Sequence, residues 1–406
     1  MTEALVSVVV VSRGRPDALQ RCLQGLEQLF YTSFEIVVVT DPSGLKAVTA
    51  PGFEDRIKCV AFGAANISMA RNLGIAEAAG DIVAFIDDDA VPEPTWLTRL
   101  VAPFEETSVH AATGYVRGRN GISFQSRATR VNGKAHEQAV DETGLCATHP
   151  GNAMKTVGTN CAFRRETLAE IGGFDPNYRF YLDETDVNMR LAKDSRVTAV
   201  VPDAEVHHGF HASAHRTASR MPKTLYEIGA SLAVFLRKHN AGALEPRLQQ
   251  ERDVQRARLI RHMNAGNCEP RDVARLMATL ENGFTAGQFR PLIDPPRLEA
   301  PGAPFKPFVP RVAFQGSQVI AGSWRDTGLR AKAQSLVGSG MRVSLFLFSP
   351  TALFHRVSFQ NGVWIQRGGV FGKSDRSDPI FKFWSRTERL DRERMRVESV
   401  RGLADC

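Results

Sequence analysis

Cysteine is scarce, with six residues in 406: Cys22, Cys59, Cys146, Cys161, Cys268 and Cys406. No two form a C-x-x-C pair, and no spacing resembles a zinc site. That excludes a disulfide-rich miniprotein, and cysteines this scattered fit a reducing compartment. Long apolar runs are missing as well, since none reaches the ~18 residues of a membrane span. The first run, Leu5–Val11, is only strand-length. Glu3 precedes it and no basic segment does, so it does not read as a signal peptide. A cytoplasmic protein is expected, with peripheral association at the inner face of a membrane left open. Neither charge sign dominates: 51 Lys and Arg against 44 Asp and Glu leave a formal +7. That mild excess favours anionic ligands (phosphates, nucleic acid or acidic lipid) without choosing among them. No internal repeat is evident.

What is present is ordinary globular material. Apolar residues make up 43% and charged residues 23%, which excludes a wholly disordered or collagen-like chain. The run Leu5–Val11 is β-branched and reads as a strand buried on both faces. Asp17–Leu29 reads as an amphipathic helix, Phe34–Val39 as a second buried strand and Ile57–Phe62 as a third. Ile67–Ala79 reads as a helix stopped by Gly80, and Asp81–Ile86 as a fourth strand. This alternation implies an α/β fold, a mostly parallel sheet with helices on both faces. Ligands of such sheets bind outside the carboxyl ends of the strands. Asp41 and Asp87-Asp88-Asp89 both sit at that edge. Gly118–Pro150 reads as polar loop, Thr156–Arg164 as a strand, Asp183–Lys193 as a helix and Val197–Val201 as a strand. Thr224–Lys238 carries Leu225, Ile228, Leu232, Phe235 and Leu236 at helical spacing, a stripe for packing on the core. The expected division is a catalytic domain over 1–240, a helical and proline-rich linker over 241–304, and a small α/β unit over 305–406.

Four constellations carry chemistry. Asp87, Asp88 and Asp89 at the mouth of a buried strand repel one another and raise one another's pKa. A divalent cation with oxygen ligands relieves that, whereas a helix cap needs only one Asp. Asp183, Glu184 and Asp186 suit the positive N-terminus of a helix. Arg190 lies four residues beyond Asp186 and should pair with it, leaving Asp183 or Glu184 for proton abstraction. His207, His211 and His215 would share a helical face, but Gly209 weakens a zinc reading, and one histidine joining the aspartates is the better one. Arg71, at the start of a helix, suits a phosphate. Arg13 and Arg15, after the first strand, face the same edge.

In order and spacing, these residues resemble family 2 glycosyltransferases, which have the GT-A fold. The resemblance covers roughly residues 5–240. It is carried by VSVVVVSRGRP, by Thr40-Asp41, by ISMARNLGIAEAAGDIVAFIDDDAVPEPTWL, by GTNCAFRRETLAEIGGFDPNYRFYLDETDVNMRL and by AEVHHG. Bacterial relatives that build surface polysaccharides look most similar. The resemblance implies inverting, metal-dependent transfer from a nucleotide-diphosphate sugar to a hydroxyl of a saccharide or lipid-linked saccharide. It implies that Asp41 contacts the base and Arg71 the base or diphosphate, with Val11 and Arg13 lining the donor site. Asp87 and Asp88 then lie near the ribose and metal, and Asp89 binds Mg²⁺ or Mn²⁺. His207 would join the metal, with His208 the alternate. Glu184 falls where the family has the Asp of a Glu-Asp pair. The order here is inverted to Asp183-Glu184, so either is the base. Asn160 and Trp96 would lie near the acceptor.

The stretches Met341–Phe346 and His355–Ile365 are similar to the N-terminal half of GT-B glycosyltransferases, over about a quarter of the chain. A remnant or docking module is expected there. Two alternatives stay open. A nucleotidyltransferase would also use metal on strand-end carboxylates, although Ser12-Arg-Gly-Arg-Pro is a poor phosphate loop. A non-catalytic nucleic-acid-binding module would use Arg247–Arg261 and the basic tail, but acids interleaved there favour solvated helices, so no nucleic-acid partner is expected.

Overall fold

The structure is a computed structural model that describes residues 3–49, 52–209, 216–217 and 219–403. The chain opens with β1 (Val6–Ser12), α1 (Pro16–Leu26), β2 (Phe34–Thr40), α2 (Pro42–Thr49), β3 (Lys58–Ala61), α3 (Ile67–Glu77) and β4 (Ile82–Asp87). β1 lies between β2 and β4, parallel to both, and β3 extends the sheet beyond β2. Alternate residues explain why both faces are covered. Val6, Val8 and Val10 pack with Leu19, Leu23 and Leu26 of α1, whereas Val9 packs with Ile75 of α3 on the other face. Strands buried on both sides need the continuous β-branched runs that these segments have. Pro16 opens α1, where a missing N–H costs nothing.

After β4 come β5 (Ala90–Pro92), α4 (Trp96–Val101) and β6 (Val109–Arg117). The stretch expected as loop instead carries β7 (Phe124–Ser126), β8 (Thr129–Asn132), β9 (Glu137–Ala139) and β10 (Gly144–Cys146). With β11 (Asn152–Met154), β8 and β9 form a separate three-stranded sheet. These strands are three or four residues long, too short for a period-two pattern to stand out. Next are β12 (Asn160–Arg164), α5 (Arg165–Glu170), α6 (Asp183–Lys193) and β13 (Val197–His208). β12 inserts between β4 and β6, antiparallel to each. Its amino end therefore lies beside the carboxyl end of β4. Along the main sheet path the order is β10-β13-β6-β12-β4-β1-β2-β3, mixed but mostly parallel.

Three helices follow: α7 (Tyr226–His239), α8 (Leu244–Asn264) and α9 (Pro270–Phe289). Leu232, Phe235 and Leu236 of the expected stripe are buried. α7 and α9 meet almost backbone to backbone at Gly229, Gly283 and Gly287. A Cβ added at Gly283 would stand 1.9 Å from the Tyr226 carbonyl oxygen. The proline-rich stretch that follows forms a strap across the amino-terminal side of the sheet. Leu298 N–H donates to Ala169 O, Gly302 N–H to Ala76 O and Phe308 N–H to Phe34 O. Lys306 N–H donates to Glu35, a buried carboxylate that also takes Ser7 Oγ, the Ala79 N–H and Lys58 Nζ.

The C-terminal unit comprises β14 (Gly316–Ser323), α10 (Gly328–Gly338), β15 (Met341–Ser349), β16 (Arg356–Gln360), β17 (Val363–Gly369) and α11 (Arg386–Arg401). Its four strands run in the order β14-β15-β17-β16. It docks onto the first unit through buried polar contacts. Arg342 donates to the carbonyls of Gln28 and Leu29, and Gln28 Nε2 to Gly362 O. Among the described residues, no helix is long and apolar enough to cross a membrane. The substitution Gly283→Val should lower stability by about 1–3 kcal/mol through overpacking at the α7–α9 crossing. Thermal denaturation checks this, with Gly338→Ala, whose added methyl meets open space, as the near-neutral control.

Candidate functional site

The carboxyl ends of β1, β2 and β4 present Ser12, Asp41 and Asp87 on one edge. Val11 is half-buried there, in register with both Val39 and Asp87. Three side chains hold the aspartate triplet. Ser12 Oγ donates to Asp88 at 2.7 Å, Thr159 Oγ1 donates to Asp87 at 2.6 Å, and Arg15 reaches Asp88 at 2.5 Å and Asp89 at 3.2 Å. Thr159 arrives because β12 runs antiparallel to β4. β5 pairs antiparallel with the end of β13, which sets His208 opposite Ala90 and brings its Nε2 to 3.0 Å from Asp89. Nδ1 of the same ring faces Gln125 Oε1 at 3.0 Å, a contact that orients it.

Oxygens of Asp87 and Asp89 and a nitrogen of His208 converge within 4.8 Å. Two carboxylates and one imidazole suit Mg²⁺ or Mn²⁺. The electrostatics agree with that fit. Burial pushes the Asp88 carboxyl up to about 7, against the pull of Arg15 and Ser12, and the neighbouring Asp89 and Asp87 push it further. The triplet thus carries more negative charge than Arg15 neutralises.

Arg71 closes the other side. Its guanidinium is buried beside the rings of Phe174 and Phe85, 5.0 and 5.8 Å from their centroids. It pairs directly with Asp183 and lies 3.8 Å from Glu184 and 4.0 Å from Asp87. A Cβ at Gly158 would stand 2.3 Å from Arg71 Nη2, so only glycine leaves room for the guanidinium. α6 begins after Tyr181 and Leu182, whose φ values of 75° and 66° are strained for residues with side chains. That double left-handed turn aims Asp183 and Glu184 at Arg71. Burial raises the Asp183 carboxyl well above its usual range despite Arg71, whereas Glu184 stays below its own: burial opposes this, but Asp183, Lys155 and Arg71 outweigh it. Glu184 is the more open of the two, its side chain 21% exposed against 5%. Asp186 takes no part. It is buried against Arg190, Lys238 and His239, and the expected Arg190 pair is present at 2.8 Å.

Asp41 accepts from the N–H groups of Gly14 and Gly44 and from Ser43 Oγ. Burial raises its pKa, but these bonds and the charge of Arg13 together outweigh it and keep the carboxyl below the usual range. Arg13 turns aside to donate to Gly63 O.

Three expected placements are corrected. His207 points away from the aspartates, with Nε2 2.8 Å from Glu93 and its ring against Trp364. Successive residues of a strand face opposite sides, so His207 and His208 cannot share one site. Asn160 and Trp96 are fully buried. Asn160 Oδ1 accepts from Trp96 Nε1, and Nδ2 donates to Tyr115 O and Ala204 O, which spends its side-chain polar groups on joining β6, β13 and α4. His211 and His215 lie outside the described residues. Sequence reasoning missed Thr159, Gln125 and Gly158. Gly158 and Thr159 lay in the quoted Gly-Thr-Asn segment without being given a role, and Gln125 carried no signal.

A second convergence, of Glu93, Glu205 and His207, is neutralised by arginine. Arg401 from the end of α11 grips Glu93 at 2.9 and 3.0 Å, and Arg117 grips Glu205. Burial would raise the Glu93 carboxyl, but Arg401 and His207 bring it down to about 2.

Comparison with known proteins agrees with the sequence. Residues 7–172 match the family model "Glycosyl transferase family 2". A glucosyl-dolichyl phosphate glucuronosyltransferase of Haloferax volcanii is 34% identical over 27% of this chain and 35% of its own length. The glycosyltransferase YwdF of Bacillus subtilis, uncharacterized, is 26% identical over 59% of this chain and 85% of its own. The O-antigen biosynthesis protein RfbC of Myxococcus xanthus is 26% identical over 54% and 18%. The chain thus spans about a third of the first of these relatives. Among solved structures, the mannosyltransferase PcManGT of Pyrobaculum calidifontis, in complex with GDP-Man and Mn²⁺, is 18% identical over 71% of this chain and 88% of its own. Its TM-score of 0.44 is too low to bear on function.

The raised Asp88 pKa has a signed consequence. A carboxyl raised on folding is fully accommodated below its unfolded pKa, near 4, and destabilises progressively as pH rises to its folded value, about 7. In EDTA, Asp88→Asn should therefore gain thermal stability relative to the parent between pH 4 and 7, by about 1.4 kcal/mol per pH unit at most. Paired melting curves across that range check it.

Proposed function

We propose, from the premise that the chain carries a family 2 glycosyltransferase domain over residues 7–172, that it transfers a sugar from a nucleotide-diphosphate donor to an acceptor hydroxyl with inversion at the anomeric carbon. One observation supports this best: the Asp87, Asp89 and His208 cluster and the separate Asp183–Glu184 pair flank a single buried arginine, Arg71. In this reading Asp41 and the β1 loop receive the nucleoside. Asp87, Asp89 and His208 would hold a divalent cation, Mg²⁺ or Mn²⁺, which when bound would supply positive charge for the diphosphate leaving group.

Glu184 is the base. It is ionised, partly open and held by Arg71 at a distance, whereas Asp183 is buried and tied to Arg71 directly. Glu184 takes the proton of the acceptor hydroxyl as that oxygen attacks the anomeric carbon. The bond from that carbon to the diphosphate oxygen breaks, and its electron pair leaves with the nucleotide. One base and no enzymic nucleophile suffice, unlike the two carboxylates of a glycoside hydrolase. Asp183 and Arg71 position Glu184, so the inverted order of the pair keeps the base at the second position. Glycan-building relatives such as the O-antigen protein support a saccharide or lipid-linked saccharide acceptor in surface-polysaccharide synthesis, with peripheral membrane association. The nucleotidyltransferase and nucleic-acid readings gain no specific observation.

Two measurements test this. Incubated with UDP-, GDP- and dTDP-sugars, the protein should release one nucleoside diphosphate with Mn²⁺ and not with EDTA; no turnover of any donor would defeat the reading. Glu184→Gln should cut transfer by about 10²–10⁴-fold with donor binding kept. An equal loss in Asp183→Asn with unchanged melting would return the base to Asp183. Separately, His208→Ala should weaken Mn²⁺ binding by about 10–100-fold in titration, while His207→Ala should leave it within a few-fold.

A further inference from the structure

The C-terminal unit presents an unusual edge. Trp324, Leu353, Phe354, Ile380, Phe381 and Phe383 are all exposed large apolar side chains, Ile380 by 73% and Phe383 by 81%. Sheet register gathers them. β14, β15 and β17 run parallel, with Ser323 opposite Phe348 and Ser349 opposite Gly369, so all three strands end at one edge. Trp324 follows β14, Leu353 and Phe354 follow β15, and the Ile380–Phe383 segment follows the turn after β17.

These segments are not loose. Gly369 N–H donates to Leu353 O, His355 N–H to Lys373 O and Lys382 N–H to Phe371 O. The rings of Phe371, Phe381 and Phe383 lie 4.8 to 5.9 Å apart. The fold therefore holds apolar tips out into water, which is unfavourable unless something covers them.

Basic residues interleave with these tips: Arg325, Lys373, Arg376, Lys382 and Arg386. The acids of the same segments are engaged elsewhere. Asp378 pairs with Arg392 and Asp375 with Arg396, Asp326 accepts the Gly328 N–H, and Glu388 accepts the Ser385 N–H. The edge thus offers cations and aromatic tips together, the composition of a surface that sits in the headgroup layer of an anionic bilayer.

The edge also connects to the catalytic cluster. Arg376 Nε donates to Ser123 Oγ at 3.2 Å, and Gln125, two residues on, faces the ring of His208. We propose that the carboxyl edge of the C-terminal sheet is a docking surface for an anionic lipid bilayer, seated beside the glycosyl-transfer site. The inference rests on the function proposed above for one point only, that the acceptor hydroxyl belongs to a lipid-linked saccharide.

The test uses the full chain and vesicles of phosphatidylcholine, alone or with about a third phosphatidylglycerol. The protein should float with the anionic vesicles and much less with the neutral ones. The double variant Phe381→Glu with Phe383→Glu should float about tenfold less. Its melting temperature and its donor hydrolysis in solution should match the parent, because both side chains are exposed and neither belongs to the aspartate cluster or its partners. Flotation of the variant equal to the parent, or no flotation of the parent, overturns the proposal. So does a parent dimer in light scattering that the variant dissolves, which would make this edge an interface between copies. Flotation needs no turnover, so a failure of the assigned activity would show in the donor assay alone.

Discussion

Negative charge at the carboxyl end of β4 is the constraint around which the rest is arranged. Three consecutive aspartates there, one fully buried, are unfavourable on their own. The fold keeps them by bringing a partner from each neighbouring element: Ser12 and Arg15 from the end of β1, Thr159 from the start of β12, and His208 from β13. Arg71 extends the same network to the acids of α6, so the carboxylates at the end of β4 and those of α6 share one guanidinium. That coupling gives the site its division of labour. Asp183 is the carboxylate held tightest, and Glu184 is the more open of the two.

Support for this arrangement comes from far along the chain. The strap binds Glu35 at the foot of the sheet, and Arg401, at the end of the last helix, is buried against Glu93. His207 shares that second carboxylate, one residue from His208. A buried pair broken by loss of one partner costs about 3–5 kcal/mol, so the Arg401–Glu93 pair ties the C-terminal unit energetically to the unit it rests on. The same unit that braces β13 from behind carries the exposed apolar edge.

Much of this was legible in the residues. β-branched runs, Gly80 after a helical pattern and the aspartates after the fourth strand are local signals, and strands buried on both faces leave no other reading. The Arg190–Asp186 pair followed from helical spacing alone. What failed had non-local causes. The short strands of 118–150 are set by pairing with distant partners, and the strap by hydrogen bonds to strands some 270 residues earlier. His207 and His208 are indistinguishable by type, and Asn160 is as polar as any acceptor ligand until its partners are known.

The sequence by itself determined the alternating α/β plan, the sheet edge that carries Asp41 and the aspartate triplet, and the match of residues 7–172 to a glycosyltransferase family model, because periodicity and motif order are properties of neighbours along the chain. Tertiary structure decided which side chains face that edge. Strand direction chose His208 over His207, the left-handed turn at Tyr181 and Leu182 aimed the acid pair, and unequal burial separated Glu184 from Asp183. Those are outcomes of pairing and burial between residues distant in the chain, and no local pattern encodes them.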